Sequence, residues 1–254
     1  MKVFVLNKTR AIVYMSFILC SVFMIVAGFS TSVDVYSDGG DRLLPIYSVD
    51  KGDEKVCALT FDAAWDDADT DILIEVLKKY NAPATFFMVG SWVEKYPESV
   101  KKFHAAGHEI MNHSDTHPHI DKLSNQKIAQ ELKNCSDKIE TVTGVRPILF
   151  RGPYGEYNNA IIKEATNQNM FTVQWNIDSL DWKNLSAEDI TKRVTNRIAP
   201  GSIILFHNGA KNTPEALPQI LEKLTAAGYK FVKCSDLSYK ENYTIDHSGK
   251  QIAG

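Results

Sequence analysis

The feature that most constrains this chain is an alternation of two hydrophobic periods between residues 55 and 237. Seven short apolar runs recur: KVCALTF (55–61), ATFFMVG (84–90), HEIMN (108–112), PILFR (147–151), FTVQWNI (171–177), SIILFH (202–207) and YKFVK (229–233). Unbroken runs of this length suit strands buried on both faces. Between them lie amphipathic segments. DTDILIEVLKKY (69–80) opens on acids and closes on lysines, as the helix dipole favours. The segment 124–144 runs from a Ser N-cap to a Gly stop, Ser186 and Asp189 form a capping pattern, and 214–228 again closes on Gly. About seven strand–helix units in one domain predict an α/β fold, either a (β/α) barrel or a doubly wound sheet.

The remainder of the chain is organised around that domain. Residues 11–29, AIVYMSFILCSVFMIVAGF, contain no charge and come after Lys2, Lys8 and Arg10. As a helix at about 1.5 Å per residue they reach about 28 Å, close to the hydrocarbon thickness of a bilayer. The sequence therefore predicts a cytoplasmic basic stub (1–10) and a transmembrane signal-anchor (11–29), with a cleaved signal peptide as the alternative. Either places residues 30–254 outside the cytoplasm: a single-pass protein of the cell membrane, or a secreted one. Residues 30–54 read as a linker leading into a first short element, and 238–254 as a poorly ordered polar tail. A net charge of −3 offers no footprint for nucleic acid. Cys57, Cys135 and Cys234 are too far apart for a zinc ribbon, and buried free thiols are expected.

Reactive side chains in such folds gather where strands end. Here Asp62 comes directly after the first run, His113 after the third, Arg151 ends the fourth, Asp178 and Asp181 come after the fifth, and His207 ends the sixth. An ionised Asp62 after a buried strand needs a partner, which Arg151 can supply. The stretch NHSDTHPH (112–119) holds three of the chain's seven histidines. His113 and His117, four apart, share one face if they lie in a helical turn and can then grip one ion. HEIMNH (108–113) has one residue too many for the zinc-protease H-E-x-x-H motif. His108 is expected to pack at a strand start, His104 to be solvated, and His119 to point away from the pair. A third ligand would be a carboxylate from LTFDAAWDDAD, where Asp69 reads as a helix cap.

TFDAAWDD, HSDTH, RGPYG, DSLDW and LFH resemble, in order and spacing, the five motifs of the polysaccharide deacetylases, the NodB-homology enzymes of carbohydrate esterase family 4. ATFF (84–87) is similar to that family's second strand. The resemblance spans residues 55–237 and implies a distorted (β/α) barrel of about seven strands. It implies a hydrolase that removes N-acetyl groups from an envelope glycan such as peptidoglycan, using a divalent cation such as Zn²⁺. Asp62 would be the general base, held by Arg151, and His113 and His117 would hold the ion with a carboxylate. The Tyr154 N–H would bind the oxyanion, and His207, oriented by Asp181, would be the general acid. Pro153, Trp182 and Leu205 would contact substrate.

One departure stands out. The family's first motif is T-F-D-D-G, with the second Asp on the metal; here Ala63-Ala64-Trp65 come after Asp62, and the next acids are Asp66 and Asp67. A longer loop returning Asp67 to the metal is the expectation, with Asp66 the alternative. Asn208 also stands where an Asp is frequent. Two other functions remain in view: hydrolysis of a non-sugar amide or imide on the same scaffold, and a non-catalytic glycan-binding envelope protein.

Overall fold

The computed structural model describes residues 42–254; the stub, the apolar span 11–29 and the first part of the expected linker lie outside the described residues. Among the described residues no helix is long and apolar enough to cross a membrane.

All seven apolar runs form strands. β1 (Ser48–Val49) precedes β2 (Val56–Ala63), β3 (Ala84–Met88), β4 (Glu109–Asn112) and β5 (Leu149–Phe150). Next come β6 (Phe171–Thr172), β7 (Ile177–Asp178), β8 (Ser202–His207), β9 (Lys230–Val232), β10 (Tyr243–Ile245) and β11 (Lys250–Ala253). They form one 11-stranded sheet in the order β10-β11-β1-β8-β2-β3-β4-β5-β6, with β7 on β8 and β9 on β2. The segment β2–β6 is parallel, whereas β1 meets β8 and β10 meets β11 in antiparallel fashion, so the sheet is mixed. The helices are α1 (Thr70–Lys79), α2 (Gly90–Lys95), α3 (Pro97–Ala105), α4 (Asn125–Thr143), α5 (Asn159–Asn167), α6 (Ala187–Thr195), α7 (Thr213–Ala226) and α8 (Cys234–Leu237).

The architecture is a curled α/β half-barrel with more strands than the seven expected. The run FTVQWNI splits in two: β6 pairs with β5, while β7 pairs with β8 on the other side of the sheet. Ile46 bridges Val173 between the two halves, and Ser48 pairs with Ser202, so the segment 46–49 also spans that gap. The expected linker is thus integral to the sheet from Ile46 onward. The expected disordered tail is instead the β10–β11 hairpin, docked in parallel on β1. Its turn is closed by Asp246, whose Oδ1 accepts from Ser248 N and Lys250 N.

Every residue of β2 and β3 is buried, as strands covered on both faces must be. Phe61 stacks on Phe86 at 4.9 Å and on Phe206 at 5.3 Å, locking the three central strands in register. In that register Asp62 lies beside His207. Two caps agree with the sequence: Gly144 ends α4 at φ 74°, and Ser186 Oγ accepts from Asp189 N ahead of α6. Asp69 does not cap α1. Its Oδ2 accepts instead from Gly209 N in the loop after β8.

Candidate active site

The site is built at the C-terminal ends of the parallel strands. Arg151, just past β5, is fully buried between the rings of Phe87 (4.1 Å) and Trp175 (5.3 Å). Its Nη1 donates to Asp62 Oδ1 at 2.7 Å and Thr60 Oγ1 at 3.0 Å, and its Nη2 to Gln174 O at 2.9 Å. Burial by itself would raise the Asp62 carboxyl, but the Arg151 guanidinium, by its charge and its hydrogen bond, draws it below the usual range. Asp62 therefore stands as an anion with one oxygen, Oδ2, left toward the cavity side.

His113 comes just after β4 and is almost wholly buried. Its Nδ1 lies 2.8 Å from Arg151 O; a carbonyl only accepts, so Nδ1 carries the proton and Nε2 offers its lone pair. That Nε2 is 3.6 Å from Asp62 Oδ2. The expected helical turn through His113 and His117 is absent. Instead Ser114 (φ 66°) and His117 (φ 56°) take left-handed conformations, Ser114 Oγ accepts from His117 N, and Glu131 accepts from Asp115 N, Thr116 N and Thr116 Oγ1. This turn still brings the two imidazoles together, 5.1 Å between ring centres. Burial lowers both pKa values, that of His117 to about 4, so both rings are neutral near pH 7.

His207 ends β8. Its Nδ1–H donates to Asp181 Oδ1 at 2.8 Å, which leaves Nε2 for the cavity. Asp181, buried, also accepts from His207 N, Thr213 Oγ1 and Trp182 N. Burial would lower the His207 pKa, but its hydrogen bond to Asp181 and that residue's charge raise it. Tyr154 sits at φ 58° in the turn Pro153–Gly155, its ring packed on His117 (4.6 Å) and His119 (4.5 Å).

A cavity of about 480 Å³ is lined by Asp62, His113, His117, Tyr154, Leu205 and His207, together with Trp182. Arg151 and Asp181 stand behind it. Two expected residues do not face it. Pro153 is buried and only opens the turn that presents Tyr154. Asp67 is turned away: its Oδ2 accepts from Ser99 Oγ at 2.7 Å on α3. Asp66 does not replace it, since its Oδ1 accepts from Ala68 N. Both acids brace the loop between β2 and α1, a fate decided for Asp67 by a partner distant in sequence. Asp178, one of the strand-end acids, also lines the cavity, as do Trp65 and Trp175, which were not foreseen as contacts. The polar interruption Gln174–Asn176 within the fifth run was the available signal for Trp175, since a strand buried on both faces would not carry it.

His108 packs at the start of β4, as expected, with Nδ1 accepting from Ala84 N. His119 points away from the pair, with Nδ1 2.6 Å from Glu156 Oε1. His119, Asp121 and Glu156 are the one set of potential ligands within 4.8 Å of one another among the described residues. It lies at the surface, where Lys122 pairs with Asp121 at 3.0 Å.

The donor types at the cavity suit a divalent cation, although the ligand atoms of Asp62, His113 and His117 do not all lie within 4.8 Å of one another. Two neutral imidazoles and a carboxylate form a donor set of the kind zinc hydrolases use. The 3.6 Å between His113 Nε2 and Asp62 Oδ2 is too long for a hydrogen bond. The carboxylate nearest the histidines is Asp62, not Asp67.

A curled α/β sheet that sets a buried anion beside an imidazole–carboxylate pair, with two neutral histidines next to them, defines a hydrolase-type centre. Residues 50–173 match the family model for polysaccharide deacetylase. The peptidoglycan-N-acetylglucosamine deacetylase of Bacillus cereus is 36% identical over 72% of this chain and 88% of its own length. The chain belongs to the polysaccharide deacetylase family. The peptidoglycan-N-acetylmuramic acid deacetylase PdaC of Bacillus subtilis is 37% identical over 72% of this chain, but only 39% of that protein is spanned. Among solved structures, BA3943 of Bacillus anthracis, a CE4 family pseudoenzyme, superposes with a TM-score of 0.74 at 34% identity, over 76% of this chain and 68% of that one. A mutant of BA3943 has restored enzymatic activity.

Proposed function

We propose that this chain is a metal-dependent N-deacetylase of an acetylated envelope glycan, peptidoglycan or another N-acetylglucosamine polymer, and that it releases acetate. It would act outside the cytoplasmic membrane, held there by residues 11–29. The observation that carries the reading is the pairing of Asp62 with His207. They are register partners on adjacent strands, one held ionised by Arg151 and the other held ready to carry a proton by Asp181. A binding module has no use for a base beside an acid.

His113 and His117 would hold the cation, with zinc the ion their donor chemistry suits, and Asp62 Oδ2 is left to act as the base. When bound, it supplies Lewis-acid polarisation of the acetyl carbonyl and a more acidic water. Asp62 accepts the proton of the attacking water. The Tyr154 N–H donates to the developing oxyanion, a contact worth about 3 kcal/mol in other hydrolases. The His207 imidazolium, stabilised by Asp181, gives its Nε2 proton to the departing sugar nitrogen. Tyr154 and Trp182, at 62% and 47% exposure, line the cavity and suit the apolar face of a pyranose ring.

The turn of Asp66 and Asp67 away from the cavity and the likeness to a pseudoenzyme favour a second reading, a non-catalytic envelope protein. Acetate release by the purified full-length chain decides between them. N-acetylglucosamine oligomers and isolated peptidoglycan are the substrates, assayed before chelation, after it, and after zinc is restored. Release that tracks the ion and disappears in Asp62→Asn is expected. Stoichiometric zinc without release from any glycan would point to a different amide, and neither zinc nor release would leave the second reading.

A further inference from the structure

The three residues after Asp62 replace a ligand-bearing motif with Ala63, Ala64 and Trp65, and the structure gives the third of these a place against the acid. The indole of Trp65 stacks on the imidazole of His207, with centroids 5.4 Å apart and planes 19° apart. We infer that Trp65 is a positioning residue for His207: it fixes the plane of the imidazole whose hydrogen-bonded edge is fixed by Asp181.

The loop is built to hold the indole there. After β2 the chain turns out, and Asp66 O accepts from Asn208 Nδ2 at 2.8 Å and Trp92 Nε1 at 3.3 Å. Asp67 is anchored on Ser99 and Asp69 on Gly209 N. Gly209, at φ +75°, passes so near that a Cβ there would sit 3.4 Å from Trp65 Cβ. Two loops, one after each of the paired strands that carry Asp62 and His207, are therefore tied together around this side chain. A tryptophan kept only for the core would be buried, yet Trp65 is 48% exposed and lines the cavity.

The geometry explains the need. The bond from Nδ1 to Asp181 Oδ1 fixes one point of the ring, but the ring can still tilt about it and swing Nε2 away from the leaving nitrogen. An aromatic face in offset stacking removes that freedom without competing for the proton. Proton transfer needs the donor within hydrogen-bond reach and aligned, so tilt is costly to the rate.

The inference rests on the reading of His207 as the acid that protonates an amine. Trp65→Ala and Trp65→Phe are to be compared in the full-length, zinc-loaded protein on an N-acetylglucosamine oligomer and on an aryl acetate, whose phenolate departs without a proton. Trp65→Ala is expected to lower kcat on the glycan about tenfold, a fraction of what general acid catalysis supplies, with KM changed less than about threefold. The loss on the ester should be several-fold smaller, and Trp65→Phe should recover most of the glycan rate. Equal losses on both substrates, or a raised KM with kcat unchanged, would overturn it. The His207 Hε1 proton resonance gives an arm independent of turnover: it should move downfield in Trp65→Ala as the indole ring current is lost. A resonance unmoved by the substitution overturns the inference even if the wild type deacetylates no glycan, an outcome that by itself counts only against the proposed reaction.

Discussion

At the scale of single residues, Asp67 and His113 should respond in opposite ways when zinc binding is measured. Asp67 spends its Oδ2 on Ser99, whereas His113 has its Nδ1 proton fixed by Arg151 O and its Nε2 lone pair left free for an ion. Asp67→Ala should therefore leave the zinc affinity unchanged and cost about 1 kcal/mol of stability for the lost Ser99 hydrogen bond. His113→Ala should weaken zinc binding by at least about tenfold, because it removes an oriented neutral nitrogen. Calorimetric titration of the metal-free variants with zinc measures both. Loss of zinc in Asp67→Ala with retention in His113→Ala would return the ligand role to the loop. The same contrast marks what could be read ahead of the structure. Asp62, Arg151, Asp181 and His207 were legible because each stands near a strand end, where the backbone direction delivers the side chain to the cleft. Asp67 was not, because its direction depends on a partner on a different element.

Among the elements, the β2–α1 loop shows how a cap expected from sequence becomes a tertiary clasp. Asp69 occupies the N-cap position of α1, but its Oδ2 binds Gly209 N while its Oδ1 is buried without a partner. Burial drives its pKa from 3.8 up to about 6. For an acid raised in this way the folded state prefers the protonated form. Its contribution to stability is therefore full below about pH 4, is lost as pH rises toward about 6, and is flat beyond. At 1.36 kcal/mol per unit the loss is at most about 3 kcal/mol. Asp69→Asn keeps an acceptor for Gly209 N and removes the titrating charge. Urea unfolding of both proteins from pH 4 to pH 7 should show the wild type losing stability relative to Asp69→Asn. Parallel curves would mean that Asp69 titrates as an ordinary surface acid. The histidine turn has the same character as this clasp: spacing announced that His113 and His117 meet, but the left-handed residues that bring them together carry no periodic signal.

At the scale of the whole molecule, strands that bury both faces were readable as apolar runs, whereas strands added at the margin were not. The hairpin Tyr243–Ala253 is polar because much of it faces solvent, and a two-stranded ribbon of that kind is marginal by itself. It is ordered by a third strand, β1, from a segment that composition marked as a linker. Gln251 makes the join. It is wholly buried, it pairs with Val49, and its side chain accepts from Tyr239 N and donates to Tyr239 O, each at 2.8 Å. Its own carbonyl takes the N–H of Asp50. Gln251→Ala removes both side-chain bonds and strands two backbone groups, which should cost about 2–3 kcal/mol. Thr244→Ala, at an exposed position of the same hairpin, should stay within about 0.5 kcal/mol of the wild type. Because β8 starts at Ser202, beside β1, and carries His207 at its other end, the Gln251 variant should keep its catalytic rate while it loses stability. Urea unfolding monitored by circular dichroism, with acetate release at a fixed temperature, separates the two effects. If Gln251→Ala is as stable as Thr244→Ala, the hairpin is not part of the cooperative fold. If its stability and rate fall together, β1 holds the site as well as the sheet.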